Sequence, residues 1–166
     1  MDLDQFFRDE YPGLLRYCHR LTGDRDAAED VAQETFVRLW NREIEGALPA
    51  VRAWLFKVAT HLIRDRVRTT DNRRRLLEIH PVRPAASEGP DRHTERTENA
   101  NRVRGVLSGL SMRDQTLLLM REEGFSYKEM ADAVEVATGS VGTLLARALT
   151  RFTKEYRKQY DVDEAS

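Results

Sequence analysis

Residues 126–152 read SYKEMADAVEVATGSVGTLLARALTRF, and this stretch decides the fold class. Ser126 and Glu129 have capping-box spacing, in which a hydroxyl and a carboxylate three residues on satisfy backbone amides at a helix start. Apolar residues follow at helical intervals to Val134. Glu135-Val136-Ala137 leaves room only for a turn. Thr138 then opens a second run in which Val141, Leu145, Ala148 and Phe152 recur on one inward face. Two helices joined by about three residues, with small Ala131 where they cross, have the pattern of a helix-turn-helix. Glu135 stands where such turns often carry glycine, so a plain helical hairpin fits the same residues.

The pattern extends upstream. Ser111 can cap a helix over 112–123, with Asp114 in the first turn where the helix end favours an anion. Val103, Val106, Leu107 and Leu110 mark a shorter helix before it. Nearer the N-terminus, Ala28, Val31, Ala32, Phe36 and Leu39 form one apolar stripe with Trp40 at its edge. Trp54, Leu55, Val58, Ala59, Leu62 and Ile63 form another. The spacing predicts helices over 3–11, 12–22, 26–41 and 51–70, with Pro12 at the first position of the second and Gly46 and Pro49 bracketing a loop. No stretch alternates with the two-residue period of a strand. Pro81, Pro84 and Pro90, with Ser87 and Gly89, make 78–100 a flexible linker. The expected fold is all-α: two small helical domains, 1–77 and 101–166, joined by that linker.

Of the 166 residues 40% are hydrophobic and 33% charged, and no apolar run reaches the 18 or so residues of a membrane span. Met1-Asp-Leu-Asp lacks the basic-then-apolar layout of a secretory signal. A single cysteine, Cys18, cannot form an internal disulfide. The chain therefore reads as soluble and cytoplasmic. It contains no glycine-rich phosphate loop, and His19, His61, His80 and His93 have no metal-ligand spacing. Glu29-Asp30 and Glu122-Glu123 are adjacent, so each pair points to different sides of a helix. The expectation is a non-enzyme with no catalytic residue, metal, cofactor or small-molecule substrate.

The net charge of −1 conceals an asymmetry. Residues 1–51 carry 6 basic and 11 acidic side chains, whereas 52–75 carry 8 basic, Arg73, Arg74 and Arg75 among them, and 2 acidic. Such blocks suit two different partner surfaces, although a solvated arginine-rich helix face would look the same. On the helix over 26–41, Asp30, Gln33, Glu34, Val37 and Arg38 point away from the apolar stripe. They offer a polar face with one apolar knob, or a solvated surface with pairs such as Glu34–Arg38. On the next helix Trp54, Leu55, Val58 and Leu62 turn inward. Lys57, His61, Arg64 and Arg68 follow at i, i+4, i+7 and i+11 on the outside, a stripe that could neutralise phosphates.

Residues 23–40, GDRDAAEDVAQETFVRLW, resemble the helix with which sigma factors bind core RNA polymerase. Residues 51–68, VRAWLFKVATHLIRDRVR, resemble the segment that melts and reads the −10 element. Residues 110–152 resemble the −35-reading domain, and the order of the three fits the extracytoplasmic-function (ECF) group. The resemblance implies a transcription initiation factor whose partners are core RNA polymerase, promoter DNA and an anti-sigma factor. On the polymerase it implies the clamp coiled coil of the largest subunit and the flap of the second. It assigns core binding to Asp30, Gln33, Glu34, Val37 and Arg38. It assigns −10 binding to Arg52, Lys57, His61, Arg64 and Arg68, and −35 binding to Lys128, Thr138, Ser140, Thr143, Arg147 and Arg151.

The chain departs from that family at several positions. His61 replaces a common asparagine, and the loop NREIEGALPA over 41–50 lacks an aromatic where the family captures bases. Gly142, Leu144 and Ala146 stand where the final helix commonly carries basic or polar residues. Two rival readings are a helix-turn-helix regulator acting without polymerase and a protein-binding helical adaptor. The first usually dimerises, and no dimerisation heptads are visible. The second has no need of the basic block.

Overall fold

The computed structural model describes residues 2–42, 46–77 and 95–160, with side chains except at 71–77 and 95–96. Among the described residues there are seven helices and no strand. They are α1 (Leu3–Thr22), α2 (Arg25–Trp40), α3 (Leu48–Leu77), α4 (Glu95–Ser108), α5 (Met112–Glu122), α6 (Tyr127–Val134) and α7 (Thr138–Tyr160). They sort into two compact units, α1–α3 and α4–α7. The division falls within the expected linker, of which 78–94 lie outside the described residues. From Glu95 the chain is helical, so α4 starts six residues before the expected domain boundary at 101. Past Pro90 no proline or glycine interrupts the chain until Gly105.

In the first unit, the two helices expected over 3–22 are one. Asp2 caps α1 by accepting from the amides of Asp4 and Gln5, and Gly23 ends it at φ 67 with its amide on the His19 carbonyl. Pro12 lies inside the helix without breaking it. Pro12 and Arg8, whose carbonyl the proline cannot serve, are both exposed, so water can take that acceptor. Buried Phe6 on one side and Leu14, Tyr17, Cys18 and Leu21 on the other hold the helix straight through. Pro49 likewise belongs to a helix rather than a loop. It sits in the first turn of α3, where a missing amide costs nothing.

The α2 stripe is buried as expected, with Thr35 added and Trp40 left 48% exposed. On α3 the buried sector is rotated from expectation. Val51, Leu55, Phe56, Ala59, Thr60 and Ile63 are buried, while Trp54, Val58 and Leu62 are half-buried. The helix faces both α1 and α2, and the Phe56 ring meets Tyr17 at 5.0 Å between centroids. Phe7, Tyr11, Phe36 and Trp40 form an aromatic cluster where α1 meets α2.

In the second unit, Ser111 caps α5, and Ser126 and Glu129 form the expected reciprocal capping box of α6. Val106, Leu117, Met120, Met130, Ala131, Val141, Leu145 and Ala148 make its core. Phe152 is half-buried rather than inward. It begins a ladder in which its ring stacks 6.1 Å from Tyr156, Tyr156 meets Tyr160 at 5.1 Å, and Arg102 of α4 lies 5.0 Å over Tyr160. The last two turns or so of α7 are thereby tied to its own unit.

Candidate functional site

Three surfaces carry the residues singled out in the sequence. The first is the outer face of α2. Asp30, Gln33, Val37 and Arg38 are exposed and Glu34 is half-buried, and helical spacing puts all five in one stripe. Glu34 accepts from Arg38 Nη2 at 3.0 Å. Asp30 Oδ2 stands 3.9 Å from Arg66 Nη1 on α3, a long and solvent-exposed pair of little energetic weight. Val37, 46% exposed, has a second apolar neighbour in Trp40, one turn on. Together they give the polar face two knobs instead of one.

The second surface is the outer face of α3. Lys57, His61 and Arg64 are half-buried and Arg68 is exposed. Trp54 precedes Lys57 by three residues and shares this face rather than the core. The ring thus supplies an aromatic that the 41–50 loop, with residues 43–45 outside the described set, lacks in sequence. Arg42 from that loop lies 5.8 Å from the Trp54 ring. An aromatic amid cations can stack on a base while its neighbours hold phosphates.

Arg52 does not join this face. Its Nε donates to Glu10 Oε2 at 3.2 Å, and its guanidinium lies 4.9 Å over the Phe56 ring. The residue staples α3 to α1, a role that local spacing could not reveal because Glu10 is 42 residues away. The side chains of Arg73, Arg74 and Arg75 lie outside the described residues.

The third surface is built by α6 and α7. Glu135 ends α6 in the left-handed region, φ 58 and ψ 52, with its amide on the Ala131 carbonyl. Among the described residues it is the one non-glycine held at positive φ, in the turn where glycine is commoner. Lys128, Thr138, Ser140, Thr143, Arg147 and Arg151 are all exposed. A groove along α7 is lined by Gly142, Thr143, Ala146, Arg147, Thr150 and Arg151. Gly142 faces the Tyr127 ring, whose Cε2 would lie 3.6 Å from an added Cβ, an ordinary contact. Arg151 has a side-chain partner on another helix of its unit. Its Nη1 donates to Asp114 Oδ2 at 2.8 Å.

Burial pushes the Cys18 thiol up to about 12, so it stays protonated and weakly nucleophilic. Among the described residues no cluster of histidine, cysteine, aspartate and glutamate could hold a metal ion. No helix among them is long and apolar enough to cross a membrane.

Comparison with known proteins agrees with this division. Residues 6–73 match the family model of sigma-70 region 2, and residues 100–152 match sigma-70, region 4. The chain is 28% identical over 162 residues to the RNA polymerase sigma factor YlaC of Bacillus subtilis, covering 94% of this chain and 92% of that one. It is 30% identical over 152 residues to a "probable RNA polymerase sigma-C factor" of Mycobacterium bovis, covering 87% and 76%. It also matches two mycobacterial ECF factors of which it spans 57% and 43%. In structure it is similar to the sigma factor RpoE of Bartonella quintana, solved in complex with the anti-sigma factor NepR. The TM-score is 0.70 at 22% identity, over 98% of both chains.

Proposed function

The chain belongs to the sigma-70 family of RNA polymerase sigma factors, within its ECF group, and on that premise we propose how its surfaces divide the work. A factor of this group directs RNA polymerase to particular promoters. The stripe of Asp30, Gln33, Glu34, Val37 and Arg38 docks on core polymerase. Lys57, His61, Arg64 and Arg68, with Trp54 among them, take the −10 region. Lys128, Thr138, Ser140, Thr143 and Arg147 meet the −35 element, with Arg151 at the end of the groove. The factor carries no chemistry of its own and acts in the cytoplasm.

The observation that carries this reading is the pairing of two DNA-suited faces in two units that match region 2 and region 4. A single helix-turn-helix would serve a repressor, but it would leave the α2 stripe and the α3 face without a use. An anti-sigma protein is a further proposed partner. It is supported by the complex in which the structurally similar RpoE was solved.

The deciding experiment mixes the protein with core polymerase and genomic DNA fragments and looks for specific runoff transcripts. Transcripts that depend on the protein support the reading. DNA binding indifferent to polymerase would favour the repressor, and binding to neither would favour the adaptor.

A further inference from the structure

Asp114 sits in the first turn of α5, its amide donating to Ser111 Oγ at 3.1 Å. Its side chain is only 3% exposed. Oδ2 accepts from Arg151, while Oδ1 has no hydrogen-bond donor among the described residues. A carboxylate placed this way holds its partner firmly, because losing that partner strands a charge away from water.

The partner itself is not buried. Half of the Arg151 side chain, 52%, is exposed, and it lines one end of the groove along α7 with Arg147 and Thr150. A guanidinium carries five N–H donors, of which the bond to Oδ2 uses one. The others remain for a group lying in the groove. At long range the pair is neutral and attracts a phosphate little. At contact, donors already aimed make short charge-assisted bonds.

Resting on the promoter-reading assignment above, we propose that Asp114 is a positioning residue for −35 recognition. It fixes the direction of the Arg151 guanidinium and cancels its charge elsewhere. Arg151 then strengthens binding to the correctly seated duplex and adds little to binding anywhere else. Discrimination is a difference of two affinities, and non-specific affinity comes mostly from net charge on phosphates. A buried anion behind a groove-end arginine acts on both terms in the useful direction.

The test uses holoenzyme made from the full chain and core polymerase. Its probes are a genomic fragment that wild-type holoenzyme enriches and the same fragment with its −35 hexamer scrambled. In Asp114→Asn, which keeps shape and loses charge, the affinity ratio between the two should fall about three- to tenfold, the effect of one side chain no longer pre-ordered. The scrambled fragment should bind more tightly, with a log-salt slope steeper by about 0.9 for the released cation. Arg151→Lys keeps charge but loses the fork, so its ratio should fall as well. Adding Asp114→Asn to Arg151→Ala should change the ratio no further.

A parallel loss of affinity for both fragments would mark a merely structural carboxylate and overturn the proposal. So would ratios within twofold of wild type in both single variants. If Asp114→Asn does not fold, surface-exposed Arg151→Lys decides alone. Wild-type holoenzyme that enriches no fragment would instead overturn the promoter-reading assignment itself.

Discussion

Tyr17 of α1 donates its phenolic proton to Thr60 Oγ1 of α3 at 2.7 Å, in a fully buried contact spanning 43 residues of sequence. The direction follows from proton count. Thr60 Oγ1 already donates its one proton to the Phe56 carbonyl at 2.6 Å, so towards Tyr17 it can only accept. Tyr17→Phe should therefore lower the stability of the first unit by about 1 kcal/mol. Tyr17→Ala, which also empties a core site, should cost about 3–5 kcal/mol. Urea unfolding followed by circular dichroism separates the two, and equal losses would contradict this hydrogen-bond assignment.

Arg52 and Arg68 lie on one helix and should behave oppositely. Arg52 is held by Glu10 and Phe56, so Arg52→Ala should lower Tm and leave the salt dependence of DNA binding by holoenzyme unchanged. Exposed Arg68→Ala should leave Tm alone and flatten the log-salt slope by about 0.9, one phosphate contact. Swapped outcomes would show that the two assignments are reversed.

Asp30→Arg, or Gln33→Ala combined with Glu34→Ala, should abolish binding to core polymerase at unchanged helicity. The Asp30–Arg66 and Glu34–Arg38 pairs lost are exposed, each worth about 1 kcal/mol at most. Co-purification with core polymerase reads the binding, and a folded variant of normal affinity would remove the α2 stripe from the interface.

Glu135 holds a left-handed conformation that disfavours a Cβ by roughly 1–2 kcal/mol. Glycine relieves this but makes the unfolded chain more flexible. Glu135→Gly should therefore raise the stability of the second unit by only about 0.5–1 kcal/mol. A drop in Tm would mean that the glutamate side chain stabilises the turn by more than its backbone strains it.

Cys18 adds a pH dependence at the alkaline end. Its folded thiol is raised from an ordinary 9.0 to about 12. Below about pH 9 both folded and unfolded states keep the proton, and no stability is lost. Above it the unfolded thiol ionises first, so stability falls as pH rises towards 12. Cys18→Ala should lower stability at neutral pH through the lost packing and flatten the alkaline decline. A decline of unchanged steepness in that variant would place its origin elsewhere.

What local spacing encodes was legible: the Ser111 cap, the Ser126–Glu129 box, the α2 stripe and the turn at Glu135 all follow from residues within four of one another. Pro12 misled because a proline's cost inside a helix depends on whether the carbonyl it cannot serve reaches water, which only burial reveals, and Pro49 because a proline fits a helix's first turn as well as a loop. Trp54, expected inward, is half-buried and Phe56, absent from the expected stripe, is buried, because α3 meets two helices and a stripe read for one partner points between them. Among the candidate contacts, Arg52 and Arg151 look like their neighbours in sequence. Their partners, Glu10 and Asp114, are 42 and 37 residues away, and no periodicity records such distances.

The length of α3 has a consequence of a different kind. Among its described side chains the buried ones end at Ile63, and Asp65 to Thr70 are all exposed, while the helix itself continues to Leu77. Thr69 even turns its hydroxyl back to the Asp65 carbonyl at 2.9 Å, a bond that slightly loosens a helix. The exposed stretch 65–70 stays wound mainly on its own propensity, so its winding equilibrium is part of the affinity of whatever lies along it. Replacing Thr69 and Thr70 by alanine, a better helix former, should therefore tighten DNA binding by holoenzyme without adding a contact, and a fragment titration reads it.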